Sequence, residues 1–481
     1  MHQSHFNQDA FIAPNGQNIE QIKHVIDSIT ELIITYASTS AQRTPLPQIA
    51  EYSYGPIPEQ GFSVAEIMQQ VQGIVERSLN SSHPRFIGHM DSIPTLMSIL
   101  GDFISSTLNN NMLSLEMSPV FSQIEVQVLK EIARHFGYGE TAGGVMMSGG
   151  TLANLQALTV ARNHVFAVRE EGLTGFKGQP VLFASEVAHT SLQKVTMILG
   201  IGISAVIPIR TNSNSQMRIE DLEAKIQQAL AQGKKPFAIV ATAGTTVTGN
   251  IDPISEIVSV AKRHQLWLHV DAAYGGALIF SPKHRGRLKG IEEADSITFN
   301  PQKWMYIAKT CAMVLFKDAD ILQREFRVSA PYMNDTAFTN LGEISVQGTR
   351  HADIMKLWLS LQHIGAKGYE RLIDDSYERV QFFVEQIKRR PYLELASKPD
   401  TNICCFRGKP EHIQSEEWDE WNLQLQKELL SDGQTFFSFP TYRGSRWLRA
   451  VLLNPFTTQE DIQKIFDQID QYYEKNRPFR S

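Results

Sequence analysis

Short runs of consecutive apolar residues alternate with helical patterns through the middle of the chain. Two stretches, Ile219–Ala231 and Ile254–His264, have apolar residues at the three- and four-residue spacing of an amphipathic helix. Around them lie apolar runs that are too short for helices, namely VLFAS, AVIPI, FAIVATA, LWLHVDAA, SITF and CAMVLF. Unbroken apolar runs separated by helices predict a mainly parallel sheet covered on both faces, and therefore an α/β fold.

The pattern near the N-terminus is a single apolar stripe at helical spacing. The stripe consists of Ile19, Ile22, Val25, Ile26, Ile29, Ile33 and Ile34. It predicts a long helix with an apolar face that something else must cover. Four prolines between Thr44 and Phe62 then predict an extended connection. We expect residues 1–95 to pack on a partner subunit and residues 96–371 to form a large domain.

The C-terminal part of the chain mixes helices with separate apolar runs. The runs are LELA, NICCF, FFSF and WLRAVLL, and a last helix follows with Ile462, Ile465, Phe466, Ile469 and Tyr472 on one face. This mixture predicts a small α+β domain over residues 372–481.

Composition and charge exclude several classes of protein. The chain has 481 residues, 42% of them hydrophobic and 20% charged, and a formal net charge of -6. No basic patch of the kind that binds nucleic acid is visible, and no apolar run approaches the ~18 residues of a membrane span. The N-terminus lacks a basic start followed by an apolar core, so we expect no secretory signal. Cys311, Cys404 and Cys405 lack metal-ligand spacing, so we expect no metal site and a reducing, cytoplasmic compartment.

Polar residues follow four of the predicted strands, where ligands collect at the carboxyl edge of a parallel sheet. Ser148, Gly149 and Gly150 come directly before a helical stripe. Small residues at a helix start let backbone N–H groups approach a phosphate, although such turns are also common without one. His189 follows VLFAS and could stack on a flat cofactor, or it could have a purely structural role.

The other two polar positions are an acid and a base. Asp271 ends the run LWLHVD, where a carboxylate can face a protonated pyridine nitrogen or simply cap a turn. Lys303 follows SITF and has apolar and aromatic neighbours, which lower the pKa of a lysine amine and free it to attack a carbonyl. The ordered set of glycine turn, His189, Asp271 and Lys303 favours a pyridoxal phosphate site over four independent coincidences.

The sequence resembles the pyridoxal-phosphate-dependent group II amino-acid decarboxylases, which include glutamate, diaminobutyrate and aromatic-amino-acid decarboxylases. The motifs that carry the resemblance are HPRF, NNNMLSLEMSPVF, SGGTLANL, AHTS, TAGTT, HVDAAYGG, NPQK and GTRHAD, between His83 and Asp353. The resemblance implies an aspartate-aminotransferase-type fold, a homodimer with shared active sites, pyridoxal 5′-phosphate as cofactor and an amino acid as substrate.

The resemblance also implies a role for each matching residue. Lys303 is similar to the Schiff-base lysine, Asp271 to the partner of the pyridine nitrogen and His189 to the residue stacked on the ring. Ser148, Gly149, Gly150 and Asn300 match the phosphate site, and Thr246 and Ala273 match positions that line the ring. Tyr332 resembles a tyrosine that reprotonates the substrate carbon. Arg449 resembles the arginine that holds the substrate α-carboxylate, and His89, Asp91 and Asn111 are further substrate-binding candidates.

The chain departs from the family pattern at two positions. Gln302 stands where many members have His, so any proton transfer at that position is lost or moved. Asp91 stands where glutamate decarboxylases have a neutral polar residue. Two carboxylates about 4 Å apart repel by up to about 4 kcal/mol at an effective dielectric near 20, which would disfavour an acidic substrate and favour 2,4-diaminobutyrate. The alternative is that Asp91 pairs with Arg85 or His89 and never meets the substrate.

Several functions remain open from the sequence. We predict decarboxylation of a small polar amino acid, namely 2,4-diaminobutyrate, aspartate or glutamate. An aromatic substrate is less favoured, because Leu113 occupies a position where an aromatic platform would help. Transamination or desulfuration could occur on the same fold. A cofactor-free interaction protein is disfavoured by the intact set of Lys303, Asp271 and His189.

Overall fold

A computed structural model of the chain shows an α/β protein with a large central sheet. It describes residues 10–48, 51, 55–329, 338–431 and 434–477. The helices are α1 (Ile19–Ser38), α2 (Val64–Glu76), α3 (Leu96–Leu108), α4 (Pro119–His135), α5 (Gly150–Phe166), α6 (Ser191–Ile198), α7 (Ile219–Ala231), α8 (Ile254–His264), α9 (Asp320–Glu325), α10 (Ile354–Lys388), α11 (Trp418–Ser431) and α12 (Gln459–Lys475). The α/β prediction is confirmed.

The central sheet has seven strands, and six of them correspond to the predicted apolar runs. They are β1 (Gly143–Met147), β2 (Pro180–Ser185), β3 (Val206–Ile209), β4 (Lys235–Thr242), β5 (Trp267–Asp271), β6 (Ser296–Phe299) and β7 (Ala312–Phe316). Their order is β1-β7-β6-β5-β4-β2-β3, and β7 runs antiparallel to both of its neighbours, while the other pairs are parallel. Strands β2, β5, β6 and β7 are buried along their whole length, as expected when helices cover both faces.

Strand β1 was not predicted, and its sequence explains why. Gly143 and Gly144 make the segment GGVMM a weak strand pattern. A Cβ on Gly144 would lie 2.0 Å from the carbonyl oxygen of Val314 on β7, so glycine is what lets the two strands approach.

The C-terminal part contains a separate, smaller sheet. Its strands are β8 (Leu393–Leu395), β9 (Ile403–Gly408) and β12 (Leu448–Val451), antiparallel in the order β12-β9-β8, and β10 (Thr441–Tyr442) and β11 (Ser445–Arg446) form a hairpin beside it. The run FFSF forms only isolated bridges, from Phe436 to Phe86 and from Ser438 to Arg449, rather than the predicted strand. The five predicted apolar residues of α12 are all buried.

Helix α10 connects the two parts of the chain. It is interrupted at Gly365, whose backbone has a φ of 67° and leaves the helical region. The second part of the helix contains the predicted boundary between residues 371 and 372, and its Phe383 packs on Phe406 and Phe466 of the small domain.

The N-terminal helices leave most of their apolar side chains exposed. In α1 only Ile22 is buried, and Ile19, Ile26, Ile29, Ile33 and Ile34 are 36–61% exposed. Helix α3 exposes Leu96, Ile99, Leu100, Phe103 and Leu108. Within the described residues, no helix is both long and apolar enough to cross a membrane.

Candidate active site

The ends of β1, β2, β4, β5 and β6 surround a cavity of about 190 Å³ at one edge of the central sheet. Most of the sequence-predicted cofactor residues meet there. The lining residues are Gly150, Thr151, Asn154, His189, Ser191, Thr242, Gly244, Thr246, Asp271, Ala273, Tyr274, Asn300 and Lys303. The structure therefore brings together residues that lie up to 153 positions apart in the chain, from Gly150 to Lys303.

One end of the cavity is formed by the start of α5. The helix begins at Gly150, directly after β1 and the residues Ser148 and Gly149, so its first backbone N–H groups have no partner within the helix. A Cβ on Gly150 would lie 3.0 Å from Asn300 Nδ2, and glycine leaves that space open. Asn300 Oδ1 is buried without a hydrogen-bond partner in the part of the chain that the structure describes. This end suits a phosphate and its bound water.

Lys303 lies in the tight connection that follows β6. Its backbone N–H donates to the carbonyl oxygen of Asn300 at 3.0 Å, and the next residue, Trp304, is fully buried. Burial lowers the pKa of the Lys303 amine, while the negative charge of Asp271 acts in the opposite direction. A lowered amine pKa raises the fraction of neutral, nucleophilic amine.

Asp271 faces the cavity from the end of β5 and is held at both oxygens. Asn154 Nδ2 donates to Oδ2 at 3.0 Å, and the backbone N–H of Ala273 donates to Oδ1 at 3.1 Å. Asp271 is buried and forms no ion pair with any described lysine, arginine or histidine. A carboxylate held in this way can receive a hydrogen bond from a protonated ring nitrogen.

His189 approaches the cavity from the turn after β2. Its Nδ1 accepts a hydrogen bond from the backbone N–H of Ser191 at 3.1 Å, which leaves the proton on Nε2 in the neutral ring. The surrounding protein lowers the pKa of His189 by desolvation, and the charge of Asp271 partly opposes that shift. The ring is therefore neutral near pH 7.

The turn after β4 carries Gly244 and Thr246 of the TAGTT motif. Gly244 has a φ of +98°, a left-handed conformation that favours glycine, and a Cβ there would lie 3.1 Å from the backbone nitrogen of Gly275. The close packing of these two turns positions Thr246, whose carbonyl oxygen accepts a hydrogen bond from Arg449 Nη1 at 2.6 Å.

Arg449 lies on strand β12 of the small domain and reaches the edge of the cavity at Thr246. Its Nη2 donates to the carbonyl oxygen of Gly88 at 2.9 Å and lies 3.2 Å from His89 Nδ1. Burial lowers the pKa of Arg449, and among the described residues no carboxylate forms an ion pair with it. Its Nε is buried without a hydrogen-bond partner in the same part of the structure. Arg449 is thus a buried cation that still has a donor to offer.

Asp91 has a different partner from the two that the sequence suggested. It forms an ion pair with Lys309, and not with Arg85 or His89. Lys309 lies in the same connection as Lys303, and its side chain is 54% exposed, against 31% for Asp91. The charges of Asp91 and Lys309 act on the pKa of Lys303 in opposite directions, raising and lowering it. The two opposite charges of this ion pair therefore largely cancel at Lys303.

The predicted phosphate-site residues Ser148 and Gly149 precede the lining residue Gly150 without lining the cavity themselves, and Asn111 and Gln302 are not among the lining residues either. Asn111 accepts a hydrogen bond from the backbone N–H of Leu113 at 3.0 Å and donates to Thr349 at 3.3 Å. Gln302 Oε1 accepts from the backbone N–H of Cys311 at 2.5 Å, so this side chain stabilises its own loop. Tyr332 lies outside the described residues.

The cavity also contains residues that the sequence reasoning did not select. They are Thr151, Asn154, Ser191, Thr242, Gly244 and Tyr274. Asn154 could have been found, because it lies one helical turn after Gly150 and therefore on the same face of α5. Thr242 carries no comparable signal, because its buried hydroxyl is indistinguishable in sequence from other strand threonines.

The donor set fits pyridoxal phosphate. A helix start and an amide at Asn300 suit the phosphate, a carboxylate at Asp271 suits the ring nitrogen, and an amine at Lys303 suits the aldehyde. These three groups are lined up along one cavity rather than scattered over the surface.

Comparison with known proteins gives a consistent result. The family model "Pyridoxal-dependent decarboxylase conserved domain" matches residues 51–409. The chain is 32% identical over 421 residues to the acidic amino acid decarboxylase GADL1 of Bos taurus, covering 84% of this chain and 80% of that protein. The crystal structure of mouse CSAD in apo form matches with a TM-score of 0.87 and 28% identity, over 94% of this chain and 98% of that chain.

A bacterial structure is also similar over nearly the whole chain. It is the glutamate decarboxylase domain of diaminobutyrate-pyruvate transaminase and L-2,4-diaminobutyrate decarboxylase from Vibrio parahaemolyticus, with a TM-score of 0.85, 25% identity, and coverage of 97% of this chain and 98% of that chain. These likenesses confirm the aspartate-aminotransferase-type fold, the cofactor and the reaction class that the sequence motifs implied. The chain belongs to the pyridoxal-dependent decarboxylase family, and it is an amino-acid carboxy-lyase that uses pyridoxal 5′-phosphate.

Proposed function

We propose that this enzyme decarboxylates a small acidic amino acid, aspartate or glutamate, and releases carbon dioxide and a primary amine. The observation that carries this proposal is the ion pair between Asp91 and Lys309 beside Arg449. The pair removes the repulsion that an unpaired Asp91 would exert on an acidic substrate. It leaves Arg449 and Lys309 as two cations with one carboxylate at this edge of the site.

Arg449 is suited to hold the substrate α-carboxylate. Its two terminal nitrogens donate to the backbone carbonyls of Thr246 and Gly88, which fix the plane of the guanidinium. Its positive charge is buried and unpaired with any described carboxylate, so a substrate carboxylate would supply the missing counter-charge.

Lys309 is suited to attract the acidic group of the substrate side chain. Lys309 is half exposed, so solvent limits the attraction between its charge and a substrate carboxylate to about 1 kcal/mol, and the pairing with Asp91 reduces that attraction further. The relative GADL1 of Bos taurus is named as an acidic amino acid decarboxylase, which supports the same substrate class.

The remaining residues of the cavity are assigned to binding the cofactor. When bound, pyridoxal phosphate accepts the electron pair that the departing carbon dioxide leaves behind. We assign the amine of Lys303 to the attachment of the cofactor and the carboxylate of Asp271 to the ring nitrogen. Backbone N–H groups at Gly149 and Gly150, with the amide of Asn300, would bind the phosphate, and Ser148, whose backbone N–H donates to Gln347 Oε1 at 3.2 Å, would offer its hydroxyl. Thr246 and Ala273 would line the ring.

Two residues are candidates for proton transfer. His189 is neutral with its proton on Nε2, so the ring can stack on the cofactor and donate that proton. Tyr332, outside the described residues, stays the predicted donor to the substrate carbon. A Tyr332→Phe variant should lose amine formation more than carbon dioxide release, and equal loss of both products would contradict this role.

A second candidate substrate is 2,4-diaminobutyrate. Asp91 offers a carboxylate that could bind a side-chain amine if Lys309 moved away, and the Vibrio parahaemolyticus neighbour carries diaminobutyrate decarboxylase in its title. Lys309 would repel that amine as long as the ion pair persists, so we rank this substrate second.

Purified holoenzyme offered a panel of amino acids tests the substrate proposal. The panel contains aspartate, glutamate, 2,4-diaminobutyrate, ornithine, tyrosine and cysteine, and both carbon dioxide and amine are measured. We expect the highest kcat/KM with aspartate or glutamate. Preference for diaminobutyrate or tyrosine would overturn the acidic assignment, and amine exchange or sulfide release without carbon dioxide would indicate another reaction.

We further propose that the enzyme is a homodimer in which residues 1–95 pack on the partner, beside a large domain (96–371) and a small one (372–481). The exposed apolar residues of α1, within residues 1–95, support this packing, and those of α3, at the start of the large domain, support a dimer, because a surface of that kind is normally covered. Sedimentation of the holoenzyme should give a dimer, and Ile34→Glu combined with Phe103→Glu should shift it toward monomer. A monomeric wild-type enzyme would contradict the proposal.

We also propose a cytoplasmic location. Cys311, Cys404 and Cys405 are all free and buried, which is consistent with a reducing compartment. Fractionation of cells that express the full chain, with detection of the protein in the cytoplasmic fraction, tests this location.

A further inference from the structure

A row of buried hydrogen bonds lies directly beneath Asp271. It runs from Trp267 Nε1 to Ser296 Oγ at 2.9 Å, from Ser296 Oγ to His269 Nδ1 at 2.8 Å, and from His269 Nε2 to Asn154 Oδ1 at 3.0 Å. Asn154 Nδ2 then donates to Asp271 Oδ2 at 3.0 Å. These groups come from β5, β6 and α5, and the side chains of His269, Ser296 and Asn154 have at most 1% of their surface exposed.

The donors and acceptors along this row can be assigned from one end. The indole N–H of Trp267 can only donate, so Ser296 Oγ accepts there and has its own proton left to donate to His269 Nδ1. Burial lowers the pKa of His269 to about 4, so the ring is neutral and carries one proton, on Nε2. His269 therefore donates to the Oδ1 atom of Asn154.

The side-chain amide of Asn154 is fully used as a result. Its Oδ1 accepts from His269 Nε2 and from Thr298 Oγ1, the latter at 2.7 Å. Its Nδ2 donates to Asp271 Oδ2 and, at 3.1 Å, to Ser191 Oγ. Rotating the amide by half a turn would place N–H groups against the donors of His269 and Thr298. The orientation of Asn154 is thus held from one side by His269 and Thr298, which donate to its oxygen, and from the other by the carboxylate of Asp271, which needs a donor.

We propose that His269 is a positioning residue for the cofactor ring, acting through Asn154 on the carboxylate of Asp271. His269 does not line the cavity and would touch neither cofactor nor substrate. Its effect is to keep the Asn154 N–H directed at Asp271 Oδ2, so that the carboxylate faces the ring nitrogen. The inference rests on the proposed role of Asp271 as the partner of that nitrogen.

A purely structural role for His269 would predict a different pattern of effects. A buried imidazole that only fills space would influence every property of the fold equally. A residue that acts through Asp271 should influence only those properties that depend on the ring nitrogen. The two cases can be separated with a cofactor analogue whose ring nitrogen is replaced by C–H and whose phosphate and aldehyde are retained.

The test measures dissociation constants of both cofactors for the cofactor-free enzyme, by fluorescence titration. For His269→Leu we expect pyridoxal phosphate to bind about tenfold more weakly, the loss that removing one charge-assisted hydrogen bond typically produces. Binding of the analogue should change by less than about twofold, because Asp271 has no ring nitrogen to contact. The visible absorption spectrum of the bound cofactor should shift in the same variant.

Three variants serve as controls. His269→Gln retains an acceptor toward Ser296 and a donor toward Asn154, and should restore most of the affinity. Ser296→Ala should give the same cofactor-selective loss as His269→Leu, but smaller, because the imidazole tautomer is then no longer fixed. Asp271→Asn tests the underlying assumption, because it too should weaken pyridoxal phosphate and leave the analogue unchanged.

Each outcome is decisive. Equal loss of both cofactors in His269→Leu, or no loss of either, overturns the inference. A cofactor-selective loss in Asp271→Asn without one in His269→Leu also overturns it and leaves the role of Asp271 standing. If Asp271→Asn itself shows no selectivity, the proposed role of Asp271 fails. If His269→Leu does not fold, as judged by circular dichroism, the binding of the two cofactors to Ser296→Ala decides the question in the same way, with His269→Gln as its control.

Discussion

The floor and the rim of the active-site cavity differ in how completely their polar groups are paired. On the floor, Asn154 makes four hydrogen bonds, and Asp271 is held at both oxygens. At the rim, Arg449 Nε has no hydrogen-bond partner among the described residues, and Lys309 shares its charge with Asp91 while remaining half exposed. A saturated floor holds one cofactor in one orientation, whereas a rim with spare donors can bind a substrate that arrives and leaves. We infer that the floor determines the reaction and the rim selects the amino acid.

The largest expected effect comes from Lys303, which we propose as the attachment point of the cofactor. Lys303→Ala should lower kcat by at least about a thousandfold, because no other described amine lines the cavity. The fold should be retained, since the Lys303 side chain forms no described ion pair. Rates of carbon dioxide release under single-turnover conditions check the prediction. Lys309→Ala is the matched control, and a similar loss in that variant would contradict the division between floor and rim.

The floor should also be sensitive to acid. The pKa of His269 is lowered to about 4 in the folded state from 6.5, so the unfolded chain binds a proton between these values and the folded chain does not. The contribution of neutral His269 to the free energy of unfolding is fully present above pH 6.5 and is lost as the pH falls toward 4. The loss should be on the order of 3 kcal/mol.

Urea unfolding of the cofactor-free enzyme at about pH 7 and about pH 4.5 measures this dependence. His269→Gln cannot take up the proton, so its free energy of unfolding should fall less between the two conditions than that of the wild type. If the free energy of unfolding falls equally in the two proteins between these pH values, His269 is protonated in the folded state or accessible to solvent.

At the rim, Lys309→Met should affect substrate binding alone. We expect KM for aspartate or glutamate to rise about fivefold, with kcat within about twofold and the cofactor dissociation constant unchanged, since an exposed charge contributes about 1 kcal/mol. Steady-state kinetics at low and high salt check the prediction. Lys317→Met, at an exposed ion pair with Glu293 away from the cavity, is the control. An unchanged KM would remove Lys309 from the substrate site.

The smallest expected effect comes from the partner of Lys309. Asp91→Asn frees the lysine charge, so KM for an acidic substrate should fall by about threefold, and any turnover of 2,4-diaminobutyrate should fall as well. The ratio of kcat/KM for the two substrates, measured by competition, is the most sensitive measure. A higher relative rate with diaminobutyrate would show that Asp91 does not bind the side-chain amine.

The sequence predicted the elements better than their directions. Helices α7 and α8 have the predicted bounds, because the helical spacing of apolar residues begins and stops where each helix does. Strand β7 was predicted from CAMVLF, but its antiparallel insertion between β1 and β6 was not, because an apolar run carries no information on direction. Strand β1 was missed because its two glycines weaken the pattern.

Single residues of the site could be predicted from their positions after strands. Contacts between two residues from distant parts of the chain could not. Lys303, Asp271 and His189 each follow a strand and meet in the cavity, as their positions indicated. The pairing of Asp91 with Lys309 could not be foreseen, because it joins two loops that are distant in sequence. The same holds for His269, which in the sequence is an ordinary strand residue. Its partners Asn154 and Ser296 become neighbours only when α5, β5 and β6 pack together.

The reversed direction of β7 has a consequence for how this enzyme could change during evolution. Because β7 returns alongside β6, a single short connection, residues 300–311, carries both Lys303 and Lys309. If Lys303 attaches the cofactor and Lys309 selects the substrate, as we propose, mutation around Lys309 would alter the preferred amino acid and leave cofactor binding unchanged. A lineage could therefore acquire a new substrate by changing one loop, and the same loop is a compact target for a library that aims to redirect the enzyme.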